Sequence, residues 1–138
     1  MTHRRRWLSP RWLALALLGI AACGPATYEF HGTERAVGVD GKLEVSSIDG
    51  DNREVRLELR YLPPPDRIQA GTTVYAMWIV PTGQTPMLGG ILQYDEGDRK
   101  GRARATTPAQ RFEIRVTAET DRQVAAPSEF VVARYRVE

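Results

Sequence analysis

The chain has 138 residues, of which 42% are hydrophobic and 26% charged, with a formal net charge of +2 and a single cysteine, Cys23. This length suits one ordinary domain with one hydrophobic core. A single cysteine excludes an intramolecular disulfide, so packing and strand pairing have to stabilise the fold.

The first 22 residues are predicted to be an export signal. Arg4, Arg5 and Arg6 give a basic start, and after Arg11 the uncharged run WLALALLGIAA extends over 11 residues. A helix needs about 20 apolar residues to cross a bilayer, so this run is too short for a permanent span. Removing residues 1–22 takes away four arginines and no acidic residue, which changes the formal net charge from +2 to −2. The basic character therefore belongs to the signal and gives no support for nucleic-acid binding.

The end of this signal resembles the lipobox of bacterial lipoproteins. Ile20, Ala21 and Ala22 precede Cys23. In that family an aliphatic residue, usually leucine, and two small residues precede a cysteine that is acylated and becomes the new N-terminus. The alternative is an ordinary secretory signal with an incidental cysteine. The resemblance implies a signal peptide at 1–22, a lipidated cysteine with a short tether at 23–27 and a folded domain at 28–138.

The predicted tether is short. Only Gly24 to Thr27 separate Cys23 from the first predicted strand, and a stretched chain covers about 3.5 Å per residue. We therefore expect the domain to lie close to a membrane of the cell envelope, facing the periplasm or the exterior. Gly24 stands where an aspartate would retain enterobacterial lipoproteins in the inner membrane. This favours the outer membrane, although the choice between the two membranes stays open.

From Tyr28 onward, hydrophobic and polar residues alternate and turn residues recur at regular intervals. The segments EVRLELRYL (54–62) and RFEIRVTAE (111–119) predict strands with one buried and one exposed face. TVYAMWIVP (73–81) is apolar on both faces, which predicts a central strand with Trp78 in the core. Weaker strands are predicted at 28–32, 35–39, 42–48, 88–94, 101–106 and 130–137.

The connections between these strands have turn chemistry. IDGDNRE (48–54) and DEGDRKG (95–101) are rich in Gly, Asp and Asn, which predicts hairpin loops. LPPPDRIQAG (62–71) has three successive prolines and predicts a stiff extended connector. Gly89 and Gly90 predict a bulge or a close approach of two backbones. The fold class predicted is all-β, an antiparallel two-layer Ig-like β-sandwich of about 7 to 9 strands.

Part of this domain resembles the extracytoplasmic C-terminal domain of anti-sigma-K-type factors and related uncharacterised exported bacterial proteins. The similar segments are VYAMWIVPTGQTPMLGGILQYDEGDRKG, FEIRVTAE and APSEFVV. The matching residues are Tyr75, Trp78, Pro81, Gly83, Pro86, Leu88, Gly89, Val116, Thr117, Glu119 and Pro127. The resemblance implies a β-sandwich in an extracytoplasmic compartment. We do not expect sigma-factor control, because the sequence has neither the cytoplasmic helical domain nor the spanning helix of that family.

Residue types suited to catalysis or metal binding are scarce. His31 is the one histidine after residue 22, and acylation would consume the thiol of Cys23. Neither a Ser-His-Asp nor a Cys-His arrangement can be assembled from these residues, and a zinc site would lack ligands. The acidic loops at 48–54 and 95–101 do not match the EF-hand pattern. The sequence therefore predicts no catalytic residue, no metal and no cofactor.

Two further groups of charged residues have both a functional and a structural interpretation. Glu58 and Glu113 could meet across strands as glycosidase acids do, but neighbouring arginines favour charge pairs on a solvent-exposed sheet face. Six arginines recur at strand spacing and could align into a basic stripe that contacts anionic lipid headgroups or an acidic polymer. The alternative, which we favour, is that they pair with acidic residues and protect sheet edges. They are Arg102, Arg104, Arg111, Arg115, Arg134 and Arg136.

Together these features predict a membrane-anchored, extracytoplasmic lipoprotein with a non-enzymatic β-sandwich that binds or braces a component of the cell envelope. Its expected partners are membrane lipid, through acylated Cys23, and an envelope protein or polymer. Two alternatives remain open. One is a small hydrolase or carbohydrate-active enzyme that uses carboxylates, and the other is an envelope sensor related to anti-sigma regulators.

Overall fold

The computed structural model describes residues 24–138, so the predicted signal and Cys23 lie outside the described residues. The described residues form nine strands: β1 (Ala26–His31), β2 (Asp40–Ser47), β3 (Arg53–Arg60), β4 (Val74–Pro81), β5 (Met87–Ile91), β6 (Gln93–Asp95), β7 (Lys100–Thr107), β8 (Phe112–Glu119) and β9 (Val131–Val137). One short helix, α1, extends over Pro65–Ile68. Within residues 24–138, no helix has the length and apolar character needed to cross a membrane.

The strands form two antiparallel sheets packed as a sandwich, which confirms the prediction of an all-β, two-layer sandwich. The first sheet has the order β1-β2-β3-β7-β6, and the second has the order β5-β4-β8-β9. Alternate residues of the internal strands fill the space between the sheets, where they are almost completely buried. In β3 and β8 these residues are Val55, Leu57, Leu59, Phe112, Ile114 and Val116.

β4 is an internal strand whose two faces are both covered, as its sequence predicts. Tyr75, Met77 and Ile79 belong to the core between the sheets. Strand alternation places Trp78 on the opposite, outer face of the second sheet, where it is nevertheless only 1% exposed. Its indole N–H donates a hydrogen bond of 2.8 Å to the hydroxyl of Thr117 on β8. Trp78 is therefore buried as expected, but it does not lie between the sheets.

One lateral side of the sandwich is closed by aromatic residues. Tyr28 and Phe30 on β1 contact Tyr135 on β9, with ring centroids 5.1 and 5.4 Å apart. Just beyond β1, Gly32 forms a bridge to Ala133 of β9. These contacts join the edge strand of one sheet to the edge strand of the other.

On the opposite side, the chain passes directly from one sheet to the other. The single strand predicted at 88–94 is wrong, because Leu92 separates β5 in the second sheet from β6 in the first. Gly89 lies at a bulge in β5, where a Cβ atom would lie 3.0 Å from the Met77 Cε and 3.4 Å from the Ala105 Cβ of the facing sheet. This confirms the predicted bulge.

Two other segments differ from the sequence-based expectation. The strand predicted at 35–39 is wrong, because Glu34–Ala36 form a short 3₁₀ turn that buries Ala36 and is followed by a second buried residue, Val39. The proline-rich connector at 62–71 is not extended throughout, because it contains α1. The start of this connector is held by Tyr75, a buried residue of β4. The Tyr75 hydroxyl donates a hydrogen bond of 2.5 Å to the carbonyl of Pro63.

Candidate functional site

The outer face of the first sheet carries a groove lined by charged side chains. We call it the arginine groove; its volume is about 670 Å³. Five basic and two acidic side chains line it, which gives a formal excess of three positive charges. They are Lys42, Arg56, Arg60, Arg102, Arg104, Glu44 and Glu58. Ile91 and, at the edge, Gln93 also line the groove, whereas Leu57 and Ala103 border it from positions whose side chains point toward the core.

Strand register brings these charges together. Arg56 on β3 lies directly opposite Arg104 on β7, a pairing of like charges that is unfavourable by itself. Glu54, two residues before Arg56 on the same face of β3, lies between the two guanidinium groups. Arg56 donates its Nε–H to Glu54 Oε1 over 2.6 Å, and Arg104 donates its Nε–H to Oε2 over 2.7 Å.

The same arrangement is repeated four residues further along β3. Glu58 accepts hydrogen bonds from the Nε–H groups of Arg60, over 2.6 Å, and Arg102, over 2.9 Å. The two carboxylates lie deep: the side chains of Glu54 and Glu58 are 9% and 21% exposed. The four arginine side chains above them are 55–64% exposed. The guanidinium groups therefore form the outer layer of the groove, supported by carboxylates beneath.

The arginines also fix the charge of the two carboxylates. Hydrogen bonds from Arg104 and then Arg56 hold the pKa of Glu54 below its ordinary value. Arg60 and Arg102 lower the pKa of Glu58 in the same way. Both side chains remain ionised near neutral pH and are poor proton donors there.

Acidification is expected to destabilise the protein through these two carboxylates. Because their folded pKa values lie below the ordinary value of 4.5, their stabilising effect is complete above about pH 4.5 and is lost as the pH falls through the folded pKa values. Replacing Glu58 with glutamine removes one contribution, so the free energy of unfolding should depend less on pH in this range. Urea unfolding between about pH 7 and about pH 3 measures the difference.

Glu96→Gln, in the turn between β6 and β7, is the matched control for this experiment. The Glu96 side chain forms no ion pair within residues 24–138, so its replacement should preserve the pH dependence of the wild type. Identical pH profiles for Glu58→Gln and Glu96→Gln would contradict the assignment.

The six arginines predicted as a stripe are divided between the two sides of the sandwich. Arg102 and Arg104 lie in the arginine groove, whereas the remaining four belong to the other sheet or to the link before it: Arg111, Arg115, Arg134 and Arg136. β7 is in the first sheet and β8 and β9 are in the second, so the six cannot form one stripe. Arg115 lies opposite Arg134 and is bound to Glu113 over 2.8 Å.

Three basic residues of the groove were missed by the sequence-based prediction. Arg56 and Arg60 are among the arginines that flank Glu58 in sequence, and the pattern around Lys42 predicts only a strand at 42–48. Their participation follows from the β2-β3-β7 register, which pairs Lys42 with Glu58 and Glu58 with Arg102. The alternation in EVRLELRYL places Arg56 and Arg60 on the outer face, but it does not identify the neighbouring strands.

Glu58 and Glu113 do not meet across strands; each forms ion pairs with arginines, the interpretation that the sequence favours. Glu58 is on β3 of the first sheet and Glu113 is on β8 of the second. Strand alternation directs both side chains away from the core, so they lie on opposite sides of the sandwich. They cannot act together on one bond.

Other metal-binding residue types do not cluster in the part of the chain that the structure describes. Within residues 24–138, no three His, Cys, Asp or Glu residues are close enough to hold a metal ion. His31 is exposed and its Nδ1 lies 3.0 Å from Oδ1 of Asp40. In the turn at 95–98, Asp95 accepts a hydrogen bond of 2.9 Å from the backbone N–H of Asp98, as a turn residue does.

No protein-family model, curated protein or solved structure matches this chain. The similarities to the lipobox and to the anti-sigma-K-type domain therefore depend on the sequence alone, and the arginine groove has to be interpreted from its own chemistry.

Proposed function

We propose that the chain is an exported lipoprotein, acylated at Cys23, whose β-sandwich binds a component of the cell envelope without catalysing a reaction. The observation that carries this proposal is the lipobox-like sequence Ile20-Ala21-Ala22-Cys23. The position of β1 adds the distance from the anchor, since β1 begins at Ala26, three residues after Cys23 and two residues earlier than the sequence predicts. Three residues cover about 10 Å when extended, so the anchored sandwich lies at the lipid surface.

The strand register defines which end of the sandwich is close to the anchor. Ala26 pairs with Val45 near the end of β2, at the same end as the loops at 48–52, 82–86 and 108–111. The strands lead away from this end, and the arginine groove lies on a sheet face rather than at the membrane-proximal end. In the anchored protein, the groove is therefore open to a partner that approaches from the side.

The ion pairs in and beside the groove favour binding over catalysis. A hydrolase that uses carboxylates requires two carboxyl groups free to exchange protons or attack substrate. Glu44 is paired with Lys42 over 2.8 Å, and Glu54 and Glu58 each hold two arginines. Because basic partners neutralise their charges, these three glutamates hold basic side chains in place and are not free to attack or protonate a substrate.

Replacing Cys23 with serine is expected to abolish fatty-acid incorporation and release the protein from membranes, because serine has no thiol to acylate. Metabolic labelling with radioactive fatty acid, followed by membrane fractionation and intact mass, measures both effects. Ala22→Gly retains a small residue before the cysteine and should preserve labelling. Retained label in Cys23→Ser, or a native mass that includes residues 1–22 and no lipid, would overturn the proposal.

A further inference from the structure

We propose that the arginine groove binds a linear acidic polysaccharide, with the carboxylates of the polymer held by the outward guanidinium groups of Arg56, Arg60 and Arg102. This inference rests on the proposed function, since it names the partner of the anchored binding module. It follows from the unused donors of the groove, their spacing, and the side chains of Ile91 and Gln93 beside them.

The arginines are fixed in place and retain free donors. Arg56, Arg60 and Arg102 each use the Nε–H to bind a carboxylate underneath. Their Nη groups make no hydrogen bond to other groups within residues 24–138 and lie in the exposed outer layer. A guanidinium group binds a carboxylate through two parallel N–H donors. Because the underlying glutamates already orient these side chains, a ligand has to order them less on binding.

The spacing of the guanidinium groups favours an extended ligand. Arg56 and Arg60 are four residues apart on β3, which corresponds to roughly 13 Å along the strand. On the antiparallel neighbour β7, Arg104 lies opposite Arg56 and Arg102 lies opposite Glu58, so both lie beside the segment from Arg56 to Arg60. A single small anion would contact only one end of this row, whereas a polymer with repeated carboxylates can contact several guanidinium groups at once. Such repeated contacts add affinity without requiring a deep pocket.

The rest of the groove favours a sugar chain among anionic polymers. Ile91 provides a half-buried apolar side chain, and Gln93 provides an amide at the edge. The C–H face of a sugar ring can pack on Ile91, and its hydroxyl groups can bond to the amide. Polyphosphate has no apolar face to contact Ile91. A bilayer is too broad to enter a groove of about 670 Å³.

Binding of fluorescent oligogalacturonate to full-length acylated protein in detergent tests the inference. We expect saturable binding that weakens as salt is added, since salt screens exposed charges. The variant Arg56→Gln with Arg102→Gln leaves each glutamate one arginine. It should lose affinity by about tenfold for each guanidinium group removed. Arg134→Gln with Arg136→Gln removes the same charge from the other sheet and should bind as the wild type does.

The outcomes separate this inference from the proposed function. It is overturned if acylated wild-type protein does not bind oligogalacturonate, or if the two double variants lose affinity equally. Binding of polyglutamate, polyphosphate or anionic phosphatidylglycerol vesicles at least as tightly as oligogalacturonate also overturns it. Any of these results with fatty-acid labelling intact leaves the lipoprotein proposal standing. If the groove double variant does not fold by circular dichroism, Arg60→Gln alone replaces it, with about a tenfold loss expected.

Discussion

Replacing Trp78 with alanine is expected to lower the free energy of unfolding by about 3–5 kcal/mol, the usual cost of truncating a large buried side chain. Trp78 is buried on the outer face of the second sheet, so the loss comes from a cavity outside the space between the sheets. Urea unfolding followed by far-ultraviolet circular dichroism measures the change without relying on tryptophan fluorescence.

The hydrogen-bond chain that begins at Trp78 gives this prediction a specific control. Thr117 accepts from Trp78 and donates its hydroxyl hydrogen to Glu119, which also accepts from the backbone N–H of Ser128. In a double-mutant cycle, Trp78→Phe and Thr117→Val should show a coupling energy of about 0.5–3 kcal/mol.

A second cycle distinguishes the two faces of the sheet. Trp78→Phe combined with Ile114→Val, on the core face of β8, should be additive. Additivity with Thr117→Val, or strong coupling to Ile114→Val, would contradict the assignment of Trp78 to the outer face.

Gly32→Ala is expected to lower the free energy of unfolding by about 1–3 kcal/mol through overpacking. A Cβ at this position would lie 2.2 Å from the backbone oxygen of Ala36 and 2.9 Å from the Cβ of Val39. Neither atom can move without displacing the backbone of the 3₁₀ turn. Thermal and urea unfolding measure the loss, which should be accompanied by altered near-ultraviolet signals from the neighbouring aromatic contacts.

Two other glycines provide graded controls for Gly32. Gly97→Ala should be nearly neutral, because the nearest atom to an added Cβ is the Asp95 Oδ1 at 3.3 Å. At Gly41, the added Cβ would meet the Phe30 ring at 2.4 Å, and an edge-strand side chain can swing away more easily than backbone. A loss at Gly32 no larger than that at Gly97 would show that the turn can adjust.

The fold class could be predicted because alternation reports burial directly. EVRLELRYL and RFEIRVTAE each place alternate apolar residues on one face, and β3 and β8 bury those faces. Tyr61, which continues the alternation just after β3, is exposed instead. Turn residues also marked the hairpin between β2 and β3 correctly. The wrong predictions occur where a segment is too short to show a clear periodicity, or where both faces of a strand are apolar. Trp78 and Tyr75 are both apolar on a strand covered on both faces, so the pattern does not determine which one faces the other sheet.

The arginine groove was harder to predict because it depends on strand neighbours far apart in sequence. Arg102 and Arg115 occur in similar alternating patterns, yet β7 pairs with β3 and β8 pairs with β4. The change of sheet at Leu92 has the same cause, since the segment predicted as a single strand at 88–94 supplies strands to both sheets. Local spacing predicts which side chains point outward, but pairing between distant strands decides which charges share a surface.

The pairing of β1 has a mechanical consequence for the proposed anchored form. The chain enters β1 at Ala26, and six residue pairs join this strand to β2, from Ala26 with Val45 to His31 with Asp40. Tension between the lipid and a bound polymer would act along the axis of β1, across hydrogen bonds that lie perpendicular to it. All six pairs would then resist sliding at the same time, instead of being peeled apart one after another. The edge strand β1 would thus serve as a shear-resistant connection between the bilayer and the bound polymer.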